Sequence, residues 1–379
     1  MARAKVRRRS PREPKAKARI LPNVMPSNAP THAHDARFMR ELGLRYASAA
    51  DLTIRRRRSG AGFVYTNGRG KRLRDERTLY RLKRLAVPPA YEDVVYALDP
   101  NAHLQARGRD SAGRAQYRYH PDWEKVRELR KARRLAKLAV LLPRIRAWMT
   151  RQLRGNEATR DFALASVVAL VATTALRPGS ETYLQQHGTR GAATLLKTNT
   201  AIKGSRIELR FRGKGGKDVH KEVESRPLAR AFKILCKLPG KRLFQYRDED
   251  GTVHALRRRD INAALQAITG HAITLKDFRT LTGSALALEE LSAIEPKGSA
   301  RGRRRQILAT MRNVAAELVN TPAVCRRSYV HAAVVEAFES GMLYSLAQRH
   351  AGRRRATLRE HLLGEVLAAA TRTRRMREG

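Results

Sequence analysis

Cysteine is almost missing: Cys236 and Cys325 are the only two in 379 residues. They stand far apart and neither belongs to a CxxC pair, which argues against a disulfide framework and a cysteine-based zinc site and leaves two ordinary buried thiols in a reducing compartment. Acidic residues are scarce too. Asp and Glu number 34 against 79 Lys and Arg, a formal net charge of +45 with a sequence pI near 11.5. A field of that sign sets the chain apart from ordinary cytosolic enzymes and points to a polyanionic partner. Nucleic acid comes first, with a ribosome-associated or membrane-surface protein as the alternative. No apolar run approaches the roughly 18 residues of a membrane span, and MARAKVRRRSPREPKAKAR has no apolar core of a signal peptide. A soluble, unsecreted, cytoplasmic and nucleoid-associated protein is therefore expected. The run GKGGK (213–217) lacks the four-residue spacing and GK[ST] ending of a P-loop, so nucleotide binding is discarded, and the histidines, His120 included, show no metal-ligand spacing.

What is present changes character along the chain. Residues 1–34 are basic and poor in large apolar groups, and read as a disordered tail. Residues 35–120 read as a small β-rich domain with helical pieces around 36–48 and 74–85. GFVYTNGRG (62–70) alternates and turns through Asn67-Gly68. VVYALD (94–99) and AHLQARGRD (102–110) form a strand pair around Pro100-Asn101. Residues 121–365 read as a larger, mainly helical domain, opened by a long helical pattern from Pro121. The stretch 160–176 is apolar nearly all round, as a buried core helix would be. A three-stranded antiparallel meander is expected over 193–224, where Ile207, Leu209 and Phe211 alternate with charged residues. EPKGSARGRRRQ (295–306) reads as a flexible basic loop and residues 366–379 as a second basic tail. The fold class is α+β.

Four segments carry chemistry. Arg177 lies in TALRPGSE, where the apolar helix stops against Pro178-Gly179. Lys214 lies in FRGKGGK, a hairpin turn. Arg279 lies in LKDFRTLTGSA, with Leu275 and Phe278 on the buried face of a helix. Tyr329 lies in NTPAVCRRSYVHAAVVEAF, near the start of a helix or just ahead of it. Alone, each has a plain explanation: a helix-end arginine interacting with the dipole, a turn lysine, a core-flanking arginine. Together they suit attack by a phenolic oxygen on a phosphodiester. Arginines can clamp the anionic transition state, the phenol can hold the phosphate covalently, and a lysine can protonate the departing oxygen. Such a site requires neither metal nor nucleotide.

In this order the four segments resemble the arginine, lysine-hairpin, arginine and tyrosine boxes of type IB DNA topoisomerases, in the short poxvirus-like form found in bacteria. The similarity extends over most of residues 35–345. Tyrosine site-specific recombinases share the boxes and are the alternative reading; a non-catalytic basic nucleoid or RNA-binding protein is a third. Two features separate the recombinases. VPPAYEDV and HLQARGRDSAGRAQYRYH are similar to the small domain that covers one face of the duplex in the topoisomerases, and Lys276 gives K-D-x-R where recombinases carry histidine. The resemblance implies a topoisomerase-like fold and a monomeric enzyme that closes on double-stranded DNA. It implies Tyr329 as nucleophile, Arg177 and Arg279 as phosphate clamps and Lys214 as general acid. Asn320, nine residues before Tyr329, stands where the family usually has histidine and brings a neutral donor in place of a charge. It further implies DNA contacts at Arg114, Gln116, Tyr117, Tyr119 and Tyr183; for Tyr117 and Tyr119, packing on a core is the competing role. No cofactor or metal is implied.

Overall fold

A computed structural model describes residues 33–350 and 362–367. The amino-terminal tail up to residue 32, and residues 368–379 of the carboxy-terminal one, lie outside the described residues. The chain divides into two compact units, residues 1–128 and 129–379. Both mix helices with small antiparallel sheets, the α+β class read from the sequence.

The first unit opens with α1 (Ala33–Glu41), whose first two residues were expected in the tail. It continues with β1 (Ile54–Ser59), β2 (Gly62–Thr66), α2 (Glu76–Arg84), β3 (Glu92–Tyr96), β4 (Leu104–Arg109) and β5 (Ala115–Tyr119). The strands form one antiparallel sheet in the order β2-β1-β3-β4-β5. Ile54, Tyr65, Val94, Tyr96 and Ala106 bury one face with Leu82 of α2, a helix started by Asp75 accepting from the Thr78 amide. The sequence reading missed β1, because IRRRRS carries charge on both faces. Arg56 nevertheless packs inward: its guanidinium lies 4.2 Å from the Phe63 ring centroid and donates to the carbonyls of Val87, Pro88 and Tyr91. The hairpin consequently turns at Gly60-Ala61, one strand earlier than Asn67-Gly68, which instead closes a short return to the Thr66–Arg72 bridge.

Helix α3 (Trp123–Gln152) carries the chain into the second unit, running through Pro143. The second unit centres on α4 (Arg160–Thr174), whose all-round apolar sequence is buried on nearly every side. Around it come α5 (Glu181–His187), the meander β6 (Thr200–Lys203), β7 (Arg206–Arg212) and β8 (Asp218–Glu224), then α6 (Arg226–Cys236), the hairpin β9 (Gln245–Arg247) and β10 (Val253–Ala255), and α7 (Arg258–Thr269). The inner face of the meander, Ile207, Leu209, Phe211, Val219 and Val223, joins α4 and α6 in one hydrophobic cluster. The meander was expected to open at residue 193, but residues up to 199 hold two short 3-10 turns, Ala192–Thr194 and Lys197–Asn199, ahead of β6.

The remaining helices are α8 (Leu275–Ser292), α9 (Ala300–Glu317), α10 (Pro322–Ser328), α11 (Ala332–Glu339) and α12 (Met342–Arg349). They build a second cluster with the helical residues 362–367, where Val366 and Leu367 are buried although composition placed them in a tail. The basic loop expected over 295–306 holds only for residues 295–299 and is overturned from residue 300 on. Ser299 accepts from the Gly302 amide and starts α9, so Arg301 to Arg305 form the polar first turns of a helix. No helix among the described residues is long and apolar enough to cross a membrane. Helix α8 contributes Leu275 and Phe278 to the first cluster and Ala287, Leu288 and Leu291 to the second. Arg279 lies at that seam.

Candidate active site

Arg279 is 2% exposed and forms no ion pair with a carboxylate among the described residues. A guanidinium taken out of water needs compensation, and the ends of two helices supply it. One terminal nitrogen, Nη1, donates to the carbonyl of Ala175, the C-cap of α4; the other, Nη2, donates to that of Leu318, the C-cap of α9, at 2.9 Å. Hydrogen bonds to a charged group contribute about 1.5–3 kcal/mol each, and both carbonyls sit at the negative end of a helix dipole. Burial still lowers the Arg279 pKa. Helix α4 stops because Ala175 adopts φ +51°, two residues earlier than the sequence suggested, so Arg177 stands beyond the helix instead of in its last turn.

Arg177 uses the same connector as Arg279. Its Nη2 donates to Val319 at 3.3 Å. Val319 has φ +48°, a conformation β-branched residues rarely adopt and one that costs about 1–3 kcal/mol. The strained turn puts the carbonyls of 318 and 319 on the two arginines. Asn320 follows directly, its amide bonded to Ala315 at 2.9 Å. The Asn320 Nδ2 and the Arg279 Nε are both buried and have no hydrogen-bond partner among the described residues. The unpartnered Nε of Arg279, with the Arg177 charge close enough to act on it, is suited to an anion.

Tyr329 is the C-cap of α10, a helix started by Thr321 and Pro322, and it lies just ahead of α11. The Arg279 Cζ is 4.8 Å from its ring centroid. Burial alone would raise the phenol, but the charges of Arg279, Arg177 and Lys276 outweigh it and hold the pKa below the usual tyrosine value. Lys276, which separated two families on sequence, is thus also an electrostatic neighbour of the phenol.

Lys214 reaches the site from the β7–β8 hairpin, where Gly215 and Gly216 adopt φ +75° and +74°. It is exposed, with Nζ 5.4 Å from the ring centroid of Tyr183 on α5, a cation–π contact. Lys214 lines one cleft with Arg177 and Arg279, together with Arg190, Lys221 and Glu317. Sequence reading missed the last three. Lys221 had a signal: it alternates with Val219 and Val223, which puts a lysine on the inward face of β8. It pairs with Glu317 at 2.6 Å.

The remaining candidates lie in the first unit. Asp110 holds Arg114 at 2.8 Å and Gln116 at 2.9 Å, which orders both side chains at the β4–β5 turn. Tyr117 and Tyr119 are half-buried against Leu52, Ala97 and Leu104, and stack on each other at 6.3 Å. Both therefore have a packing role. On the far side of the meander in the second unit, Glu208, His220 and Glu222 bring three ligand atoms within 4.8 Å of one another, a cross-strand grouping that linear spacing does not reveal. Arg206 and Arg210 already pair with the two carboxylates.

Comparison with known proteins places these boxes in a family. Residues 118–353 match the model of the eukaryotic DNA topoisomerase I catalytic core, and residues 62–110 that of the bacterial DNA topoisomerase IB N-terminal domain. DNA topoisomerase 1B of Acanthamoeba polyphaga mimivirus is 30% identical over 294 residues, covering 76% of this chain and 88% of the viral protein. DNA topoisomerase 1B of Vaccinia virus (strain Copenhagen) is 24% identical over 263 residues, covering 67% and 80%.

Proposed function

Because the chain belongs to the type IB DNA topoisomerase family, we propose that it relaxes supercoiled duplex DNA by cutting and resealing one strand through Tyr329. The observation that carries the assignment is the phenol of Tyr329 beside the buried, helix-anchored Arg279, with Arg177 on the same connector. The Tyr329 oxygen loses its proton to solvent and attacks phosphorus. The bond from phosphorus to the 5′ oxygen breaks, leaving a 3′-phosphotyrosyl link, and Lys214 gives a proton to the departing oxygen. Arg177, Arg279 and the neutral donor of Asn320 hold the non-bridging oxygens as charge builds there. The cut end swivels about the intact strand, and attack of the 5′-hydroxyl on the phosphotyrosine restores the bond. Bond energy is kept in the covalent link, so no ATP is consumed.

Tyr183, Arg114, Gln116, Tyr117 and Tyr119 contact the duplex in this reading, Arg114 at phosphate and the others at backbone or base edges. The protein acts as a monomer on nucleoid DNA, with residues 35–120 covering one face of the duplex and residues 121–365 the other. The test is relaxation of positively and negatively supercoiled plasmid in EDTA without ATP. Activity is expected with the wild-type chain and none with Tyr329→Phe, whose DNA affinity stays close to wild type. Strict dependence on magnesium or ATP, or covalent DNA trapped by Tyr329→Phe, would overturn the assignment.

A further inference from the structure

Helix α8 carries Arg279 and, one turn later on the same face, Gly283. Glycine disfavours a helix interior, and Gly283 is not among the glycines with positive φ, so space rather than conformation explains it. A Cβ there would stand 2.9 Å from the Tyr329 carbonyl oxygen and 3.2 Å from the Tyr329 Cβ. The next residue, Ser284, is fully buried. Its hydroxyl donates to the Tyr329 carbonyl at 3.2 Å and accepts from the His331 amide at 3.0 Å. From the other side, the Cys325 carbonyl accepts the amides of Tyr329 and Val330, both at 2.9 Å.

We infer that Gly283 and Ser284 are positioning residues that seat the backbone of the Tyr329 segment on α8 and so set the distance between the tyrosine and Arg279. The inference rests on Tyr329 as the nucleophile. The helix bearing the clamping arginine then also gauges the attacking group. The glycine lets the backbones approach, and the serine locks the carbonyl and the second amide beyond it. The phenol's own rotation is left for alignment with phosphorus. Neither residue touches the reacting atoms. A Cβ at Gly283 would also stand 3.2 Å from the Leu318 Cδ1, next to an anchor of Arg279, so Ser284 is the variant that acts through the Tyr329 segment without that second contact.

The experiment compares Gly283→Ala and Ser284→Ala with wild type in single-turnover cleavage of a duplex, with DNA affinity and a pH–rate profile measured alongside. A misplacement of about 1 Å costs on the order of 10²-fold in rate, the loss expected for Gly283→Ala. Ser284→Ala removes two hydrogen bonds, one to the Tyr329 carbonyl and one from the His331 amide, and should cost about tenfold. In both, affinity and the fraction of protein that cleaves stay at wild-type values. The ascending limb of the profile moves to higher pH, because the phenol recedes from the charges of Arg279, Arg177 and Lys276. A purely structural role would lower the cleaving fraction and the melting temperature and leave the limb in place; that result, or wild-type rates in both variants, overturns the inference. Ser284→Ala keeps the test decisive should Gly283→Ala fail to fold. Tyr329→Phe, run beside them, separates the two layers. Cleavage by that variant refutes the nucleophile, whereas its inactivity with wild-type rates in the other two refutes only the seat.

Discussion

Arg279 and Lys214 bring cations to one cleft by opposite means. Arg279 is buried, anchored to the ends of α4 and α9, and cannot move without disturbing two hydrophobic clusters. Lys214 is exposed on a glycine hairpin, its ammonium resting over a tyrosine ring. The difference follows their proposed tasks. A group that stabilises developing charge gains most from being fixed in advance in a dry setting. A group that hands over a proton must reach a leaving oxygen that is itself displaced during the reaction. One residue is bound to the fold and the other is not, and mutation should separate them.

The largest expected effect is at Arg279. Arg279→Ala should lower cleavage by 10³-fold or more, since losing one such donor typically costs about 10²–10³ and here the clamp on the phenol goes as well. The fold should also lose roughly 1–3 kcal/mol for each helix-end carbonyl left buried without a partner. Urea unfolding and single-turnover cleavage together measure both. Lys214→Ala should cost about 10²–10⁴-fold in cleavage, as for loss of a general acid, with stability within about 0.5 kcal/mol of wild type. A 5′-phosphorothiolate substrate, whose sulfur departs without protonation, should restore most of the rate to the lysine variant and none to the arginine variant. Equal restoration in both would erase the distinction.

The contrast was only half legible in the sequence. The lysine hairpin could be read because Ile207, Leu209 and Phe211 alternate and the glycines between β7 and β8 mark a turn. Leu275 and Phe278 likewise marked the buried face of the helix that carries Arg279. What holds Arg279 there could not be read. Its partners are main-chain carbonyls at residues 175 and 318, far away in sequence, and the left-handed turn at Val319 contradicts that residue's local preference. The same limit explains two errors. Arg56 made β1 look like a solvated charge run because its acceptors lie about thirty residues downstream. The arginines of 301–305 looked like a loop because the start signal for α9 rests on one serine.

A smaller effect should appear in acid, and only on the buried side of the comparison. His331 caps α11 through Nδ1 and is 6% exposed; burial, then the nearby Lys131 charge, lowers its pKa to about 4. The unfolded chain takes up that proton near pH 6.5, whereas the native chain resists it until about 4. Stability is therefore full above 6.5 and falls as pH drops toward 4. The loss reaches about 3 kcal/mol, at about 1.4 kcal/mol per pKa unit. His331→Asn, which can still cap the helix, should flatten urea-unfolding stability across that window. A slope unchanged by the substitution would assign acid sensitivity elsewhere.

The smallest effect concerns Lys221, which combines both styles: its side chain is 14% exposed, on the inward face of the hairpin that carries Lys214, and held by Glu317. Glu317 is the acid among the residues lining a cleft that also presents Arg177, Arg190, Lys214 and Arg279. A carboxylate there occupies a cation that a phosphate could otherwise take, so DNA must compete with it. Glu317→Gln should release Lys221 and tighten DNA binding a few-fold at moderate salt. The log–log salt slope should steepen by about 0.9, the value for one further phosphate neutralised. Stability should change little, since partly exposed pairs are worth about 0–1 kcal/mol. Cleavage chemistry, measured as the single-turnover rate at saturating enzyme, should stay at wild type because neither residue contacts Tyr329 or replaces the Lys214 proton. If affinity and slope are both unmoved, Lys221 only staples the hairpin to α9, and Lys214 stands on a surface more firmly tied to the fold than the comparison with Arg279 assumes.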